Sequence, residues 1–162
     1  MNKTFTINVD GREHTITADP AMPLLYALIN EFGKKGPKFG CGLAQCGACT
    51  VLLDGVPVRS CVLPVSTVGG KVRTLDGLGT EDQLHPVQKA FIAEEAGQCE
   101  YCISGWIMTA TALLEKNPIR SDAEIRHALA GLKCRCGTHM SIIRAIKRAA
   151  AEMAAGEGTG PA

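Results

Sequence analysis

The sequence predicts an α+β protein made of two consecutive units, a small mixed sheet followed by a bundle of four helices. Asp-Gly pairs at residues 10–11 and 54–55 separate runs that are apolar or that alternate apolar and polar residues, and such pairs are typical of β-hairpins. After about residue 76 the apolar residues recur at helical spacing instead. The eight cysteines are shared equally between the two halves, which indicates that each half builds its own site.

The first unit, residues 1–76, is predicted to hold two hairpins, one helix and a closing strand. The predicted elements are a hairpin over 4–17, a helix over 20–32, a buried strand over 49–53, its hairpin partner over 56–62 and a strand over 71–75. Prolines lie in the first turn of the helix, and Gly33 follows its end. Between helix and buried strand, a glycine-rich segment is too irregular for either kind of element.

The second unit, residues 77–154, is predicted to be the four-helix bundle. The predicted helices cover 85–96, 103–116, 121–131 and 141–153. Ser121 and Glu124 form a capping box at the start of the third helix, and Pro118 limits the second. Residues 155–162 have little to bury, so we expect a disordered tail there.

Composition and charge exclude several classes of protein. A formal net charge of +1 and 4% aromatic residues argue against a nucleic-acid partner. No run of about 18 apolar residues exists, which argues against direct membrane insertion. The polar N-terminus lacks an export signal, so we expect a cytoplasmic protein; co-export to the periplasm with a signal-bearing partner is the alternative. In such a chain, cysteines bind metal more often than they form disulfides.

The first cysteine group has the spacing C-x4-C-x2-C with a fourth cysteine further on, which is that of plant-type [2Fe–2S] ferredoxins. Its members are Cys41, Cys46, Cys49 and Cys61. Gly40, Gly42 and Gly47 lie among them, and small residues let backbone N–H groups point toward a cluster. The surrounding elements fit the ferredoxin β-grasp. We therefore predict a [2Fe–2S] cluster here rather than zinc.

The second cysteine group is less specific when its spacing is taken alone. Its members are Cys99, Cys102, Cys134 and Cys136. Paired thiolates at this spacing suit an iron–sulfur cluster, but structural zinc also uses paired cysteines. The residues themselves leave both alternatives open.

The whole pattern resembles the iron–sulfur small subunit of the molybdenum hydroxylases, the xanthine oxidase and aldehyde oxidoreductase family. The segments that carry the resemblance are CGLAQCGACTV, GQCEYCISGW and LKCRCGTHMSIIRAIKRA. It spans about residues 3–153, and all eight cysteines match in order and spacing. The resemblance implies a β-grasp ferredoxin-like domain and a four-helix domain, each with one [2Fe–2S] cluster.

The resemblance also implies an electron relay. A molybdopterin centre in a large partner subunit oxidises an aldehyde or an N-heteroaromatic compound, and electrons leave through the helical-domain cluster and then the ferredoxin-type cluster. Gln98 matches a glutamine whose amide lies by the pterin, and Cys136 matches the ligand whose sulfur contacts the pterin amino group. From its sequence context alone, Gln98 is equally compatible with a capping or surface amide.

Three departures from the common family pattern bear on the electron acceptor. Glu100 stands where many relatives have Gly, Ser104 where many have Pro, and Gly137-Thr138-His139 where many have Thr-Gly-Tyr. The motif CGTHM is similar to the branch with isoquinoline oxidoreductase, nicotinate dehydrogenase and some bacterial aldehyde dehydrogenases. Members of that branch often pass electrons to a cytochrome c, so haem c and FAD subunits are alternative partners. His139 is interpreted as a capping or packing residue.

A free-standing two-cluster ferredoxin that shuttles electrons is the alternative function. A soluble shuttle needs only the first half of the chain, which favours the subunit interpretation. Trp106 and Met108 are interpreted as core or interface residues on a helix. The run Lys34-Lys35-x-x-Lys38 is interpreted as a solvated face, with docking of an acidic redox partner as the alternative.

Overall fold

The computed structural model describes residues 1–156, and in this range the chain forms a mixed sheet of five strands followed by four helices. The strands are β1 Lys3–Val9, β2 Arg12–Ala18, β3 Thr50–Leu53, β4 Val56–Arg59 and β5 Lys71–Arg73. Their order in the sheet is β2-β1-β5-β3-β4. The pair β1–β5 is parallel and the other pairs are antiparallel. This confirms the predicted α+β class.

Both predicted hairpins are present, and their turns use left-handed backbone at the Asp-Gly pairs. Asp10 and Gly11 have φ of 52° and 77°, and Asp54 and Gly55 have 49° and 79°. Two consecutive residues with positive φ are what a two-residue hairpin turn requires. The two turns fix the registers Val9↔Arg12 and Leu53↔Val56.

The first helical segment is shorter than predicted. An α-helical turn, α1, covers Leu24–Tyr26 and continues as a π-helical turn over Ala27–Glu31. Pro23 is extended, with ψ of 136°, and the N–H groups of Leu24 and Leu25 bond to carbonyls of the segment after β4. The helix therefore begins at Leu24 rather than at residue 20, and its start is tied to the loop that follows β4.

The helices of the second half follow the sequence prediction closely. They are α2 Pro86–Ala93, α3 Ile103–Lys116, α4 Asp122–Leu129 and α5 His139–Ala154. The capping box of Ser121 and Glu124 is present at the start of α4. Helix α2 ends before residue 96 because Glu95 adopts φ of 46°, which cannot continue a helix. Residues 155 and 156 form a turn, and the rest of the predicted tail lies outside the described residues.

The sheet and the bundle pack directly against each other. A first core lies between the sheet and α1, and a second lies among α2, α3, α4 and α5. Leu52 of β3 belongs to the second core, because α3 runs across β3 and β4. None of the helices in residues 1–156 has the length and apolar character needed to cross a bilayer.

Candidate metal centres

The first four cysteines converge at one end of the sheet. Cys41 and Cys46 lie in the glycine-rich loop that precedes β3, Cys49 directly precedes β3, and Cys61 follows β4. The β3–β4 hairpin brings its two flanking cysteines side by side, and both the N–H and the hydroxyl of Ser60 donate to the Cys49 carbonyl at 3.3 and 2.7 Å. Hairpin pairing thus explains why a cysteine twelve positions away in sequence completes the group.

The loop forms a ring of backbone donors around Cys41. The N–H groups of Leu43, Gln45 and Cys46 lie 3.3, 3.2 and 3.3 Å from its Sγ. These donors, with that of Leu43 contributing most, lower the pKa of the Cys41 thiol to about 7. Gly42, with φ of 66°, supplies the left-handed turn that points them inward. The backbone of the loop can therefore stabilise a negatively charged Cys41 sulfur without a bound metal.

Cys49 lies in the opposite kind of environment. It is 1% exposed and packs with Leu25, Ile29 and Cys61. Burial raises the pKa of its thiol to about 11. A buried neutral thiol gives up its proton when a cation takes its place, because metal binding supplies the charge that burial disfavours.

The second four cysteines converge where two loops of the bundle meet. Cys99 lies between α2 and α3, Cys102 is the N-cap residue of α3, and Cys134 and Cys136 lie between α4 and α5. All four line one shallow surface cleft together with Gln98. Cys99 and Gln98 are exposed at its rim.

In each group the thiols lie in two pairs. Mutual side-chain effects on the thiol pKa values link Cys41 with Cys46, Cys49 with Cys61, Cys99 with Cys136 and Cys102 with Cys134. Among residues 1–156, no three His, Cys, Asp or Glu side chains are close enough to enclose one metal ion. A [2Fe–2S] cluster differs from a site for one metal ion, because its four thiolates are divided between two irons and bind as two pairs. The paired thiols and the inward N–H groups fit such a cluster.

The inner pair of the second group, Cys102 and Cys134, lies next to a side-chain hydroxyl. The Thr138 hydroxyl lies 3.4 Å from Cys134 Sγ. Burial opposes ionisation of Cys134, but bonds from the Thr138 hydroxyl and N–H outweigh it, so the pKa of this thiol falls to about 7. Burial raises the pKa of Cys102 to about 11, and the neighbouring Cys134 thiol raises it further to a smaller extent.

The two cysteine loops contact each other directly. The Lys133 N–H donates to the Cys46 carbonyl at 3.0 Å, so a residue next to Cys134 is bonded to a cysteine of the first group. The Tyr101 hydroxyl donates to the Phe39 carbonyl, which joins the same glycine-rich loop to the α2–α3 loop that carries Cys99. The spacing of the cysteines predicts neither contact, because both depend on how the helices dock on the sheet.

Glycines make this close approach possible. A Cβ atom at Gly105 of α3 would lie 2.1 Å from the Gly47 carbonyl oxygen. A Cβ atom at Gly47 would lie 2.1 Å from Leu132 Cδ2, and Gly47 has φ of 85°. Both positions therefore need glycine, and the contact between the two loops depends on them.

The remaining candidate residues have simpler surroundings. His139 is the first residue of α5, and its ring packs edge-on against Trp106 with centroids 5.5 Å apart, which confirms a packing histidine. Trp106 and Met108 are buried in the core of the bundle, as predicted. Lys34 forms an ion pair with Asp10 at 2.6 Å, with side-chain exposures of 15% and 8%. Lys34 is thus held against the sheet unit, which corrects the interpretation for this residue, whereas Lys35 is exposed as a solvated face requires.

Known families match both halves of the chain. The 2Fe-2S iron-sulfur cluster binding domain matches residues 7–70, and the [2Fe-2S] binding domain matches residues 74–147. A nicotinate dehydrogenase subunit of Pseudomonas putida is 51% identical over 151 residues, covering 93% of this chain and 96% of the relative. The chain belongs to the small iron–sulfur subunits of the xanthine oxidase family. The second domain match favours an iron–sulfur site over zinc in the helical unit.

Other small iron–sulfur subunits and solved structures are also similar. The alpha subunit of isoquinoline 1-oxidoreductase from Brevundimonas diminuta is 47% identical over 148 residues, covering 90% of this chain and 97% of the relative. Quinoline 2-oxidoreductase from Pseudomonas putida superposes with a TM-score of 0.88 at 34% identity, covering 96% and 98% of the two chains. Aldehyde oxidoreductase from Desulfovibrio desulfuricans gives a TM-score of 0.89 at 37% identity; 97% of this small subunit corresponds to 18% of that longer chain.

Proposed function

We propose that this small subunit carries electrons for a molybdenum-containing hydroxylase or dehydrogenase that oxidises an aldehyde or an N-heteroaromatic compound. The observation that carries the proposal is the direct bond between a loop of each four-thiol group, from Lys133 N–H to the Cys46 carbonyl. Two redox sites whose loops are in direct contact are suited to the stepwise transfer of electrons from one site to the other. The names of the relatives, which include nicotinate dehydrogenase and isoquinoline 1-oxidoreductase, supply the substrate class.

Each four-thiol group is proposed to hold one [2Fe–2S] cluster, which accepts and releases one electron at a time. The ligands are Cys41, Cys46, Cys49 and Cys61 in the sheet unit, and Cys99, Cys102, Cys134 and Cys136 in the helical unit. We place the division between the two units at residues 76 and 77, inside the short turn Leu75–Gly77 that follows β5. The rest of each site is protein: backbone donors near Cys41 and a hydroxyl donor near Cys134 keep ligand sulfurs negative.

The helical site is proposed to face the molybdopterin of the large partner subunit. Gln98 and Cys99 are exposed at the rim of the cleft, and Cys136 lines it, so a partner can approach this site closely. Gln98 and Cys136 are the residues we place beside the pterin. The sheet site, bonded to the helical site through Cys46, then passes electrons outward.

The acceptor is proposed to be a cytochrome c or an FAD subunit. The two differ in a simple observable, because haem c and flavin have different absorption spectra. The compartment is proposed to be the cytoplasm, with co-export to the periplasm as the competing outcome of cell fractionation.

Purification of the native assembly tests the proposal. The chain should co-purify in fixed ratio with a larger subunit, and metal analysis should find molybdenum in that assembly together with iron. A chain that purifies alone, loaded with both clusters and active as an electron carrier, would instead establish the free-standing ferredoxin alternative. A chain that contains zinc and no acid-labile sulfide would overturn both.

A further inference from the structure

Trp106 is the single tryptophan of the chain, and it lies one helical turn after Cys102. Its side chain is 4% exposed. Within the described residues, its indole Nε1–H has no hydrogen-bond acceptor at normal geometry. A buried N–H without an acceptor is rare in native proteins and needs an explanation.

The position of Trp106 directs this N–H toward the helical-unit cysteines. Residues four apart lie on the same face of a helix, so Trp106 and Cys102 are neighbours on α3. Burial raises the pKa of the Cys102 thiol to about 11, and the nearby indole N–H partly opposes this rise. His139 packs edge-on against the indole at an interplanar angle of 81°, which limits rotation of the ring.

A neutral thiol is a weak acceptor, whereas a thiolate is a strong one. The indole N–H is unpaired beside a thiol and would gain an acceptor if Cys102 were a thiolate. Thr138 stands in the matching position opposite Cys134, with its hydroxyl 3.4 Å from the sulfur. The inner thiol pair of the helical unit thus has one donor for each sulfur.

We propose that Trp106 is a positioning residue of the helical-unit cluster, whose Nε1–H donates a hydrogen bond to Cys102 Sγ and raises the reduction potential of that cluster. The inference rests on the proposed function, since it requires a [2Fe–2S] cluster at this site. The reduced cluster carries one more negative charge than the oxidised one, so a donor to a ligand sulfur stabilises the reduced form more. Burial strengthens this effect because water does not screen the bond.

The single tryptophan allows a direct test on the full chain with both clusters assembled. Protein labelled with 15N only in the tryptophan indole is reduced, and pulsed electron paramagnetic resonance is recorded on each of the two cluster signals. We expect a 15N coupling on the helical-unit signal and none on the sheet-unit signal. Absence of coupling from both signals would overturn the proposal.

Potentiometric titration of variants gives an independent result. Trp106→Phe keeps an aromatic ring against His139 but removes the N–H, and it should lower the midpoint potential of the helical-unit cluster only. Met108→Leu is the control, because it alters a fully buried side chain on the same helix without removing a donor. Equal potentials in Trp106→Phe and wild type, with both clusters present, would overturn the proposal while leaving the proposed function intact. Loss of iron and sulfide from the wild-type helical site would instead contradict the proposed function itself.

Discussion

Cys41 and Cys49 show that one loop places the same side chain in two opposite environments. Three backbone N–H groups surround the first sulfur and lower its pKa to about 7, whereas burial raises the pKa of the second to about 11. The first can hold a negative charge without metal, and the second cannot. A bound metal ion would therefore change the charge of Cys49 more than that of Cys41.

Replacement of Cys49 by serine should therefore abolish the sheet-unit cluster. A hydroxyl is a poorer ligand for iron than a thiolate, and the buried position offers no water to replace it. We expect the helical-unit resonance signal to persist, and turnover with an external acceptor to collapse. The reciprocal variant, Cys102→Ser, should remove the helical-unit signal instead. Near wild-type turnover in Cys49→Ser would show that the proposed order of electron transfer is wrong.

A second residue-scale prediction concerns Gln98 at the rim of the helical site. Gln98→Ala should leave both clusters assembled, because the side chain is exposed and is not one of the proposed cluster ligands. Loss of one hydrogen bond to the pterin, worth about 0.5–1.5 kcal/mol, should slow reduction of the clusters by substrate in the assembled complex. Rapid-mixing absorption measures this rate. An unchanged rate would identify Gln98 as an ordinary surface amide.

At the scale of elements, helix α3 connects the two sites. It begins at Ile103, directly after its N-cap residue Cys102, crosses β3 and β4, and approaches the first cysteine loop at Gly105. The preceding residue, Ser104, donates its hydroxyl to the Ala48 carbonyl at 3.3 Å. The helix therefore helps to fix the distance between the two cysteine groups, and its N-cap residue is one of the proposed ligands.

Gly105→Ala tests this role. Alanine favours a helix over glycine by about 1 kcal/mol, so an isolated helix would gain stability. In the folded protein the new methyl group would meet the Gly47 carbonyl oxygen at 2.1 Å, and overpacking of this kind costs about 1–3 kcal/mol. We expect a lower thermal midpoint and a disturbed sheet-unit resonance signal. Gly69→Ala is the matched control, since a Cβ atom there has no neighbour within 4 Å; an equal effect in both variants would contradict the account.

Much of the element structure could be predicted because it depends on local sequence. The Asp-Gly turns, the capping box of Ser121 and the span of α3 follow from neighbouring residues alone. The π-helical turn over Ala27–Glu31 could not be predicted, because it depends on bonds from α1 to the loop after β4. The ion pair of Lys34 with Asp10 is likewise a contact between distant segments.

The sites divide in the same way. The spacing of the cysteines identified all eight candidate ligands, since metal sites repeat characteristic spacings. The bond from Lys133 to Cys46 and the approach of Gly105 to Gly47 result from docking of the bundle on the sheet. The spacing of Trp106 to Cys102 is visible in the sequence. Its importance depends on the unpaired indole N–H, which only the structure reveals.

At the scale of the whole molecule, the sheet and the helical bundle act as one body with two sites. Leu52 of the sheet lies in the bundle core, and two hydrogen bonds join the cysteine loops. Transfer between two sites requires a fixed and short separation, and shared packing provides it. Each unit is expected to hold its own [2Fe–2S] cluster, as the two domain matches indicate.

The direct measurement is iron and sulfide analysis combined with electron paramagnetic resonance of the reduced, fully loaded chain. We expect about four irons and four sulfides per chain. Two distinct rhombic signals should appear, because the two four-cysteine sites lie in different surroundings and each should hold two irons. The sheet-unit signal should disappear in Cys49→Ser and the helical-unit signal in Cys102→Ser. A single signal with about two irons per chain, or zinc in place of iron at the second site, would contradict this expectation.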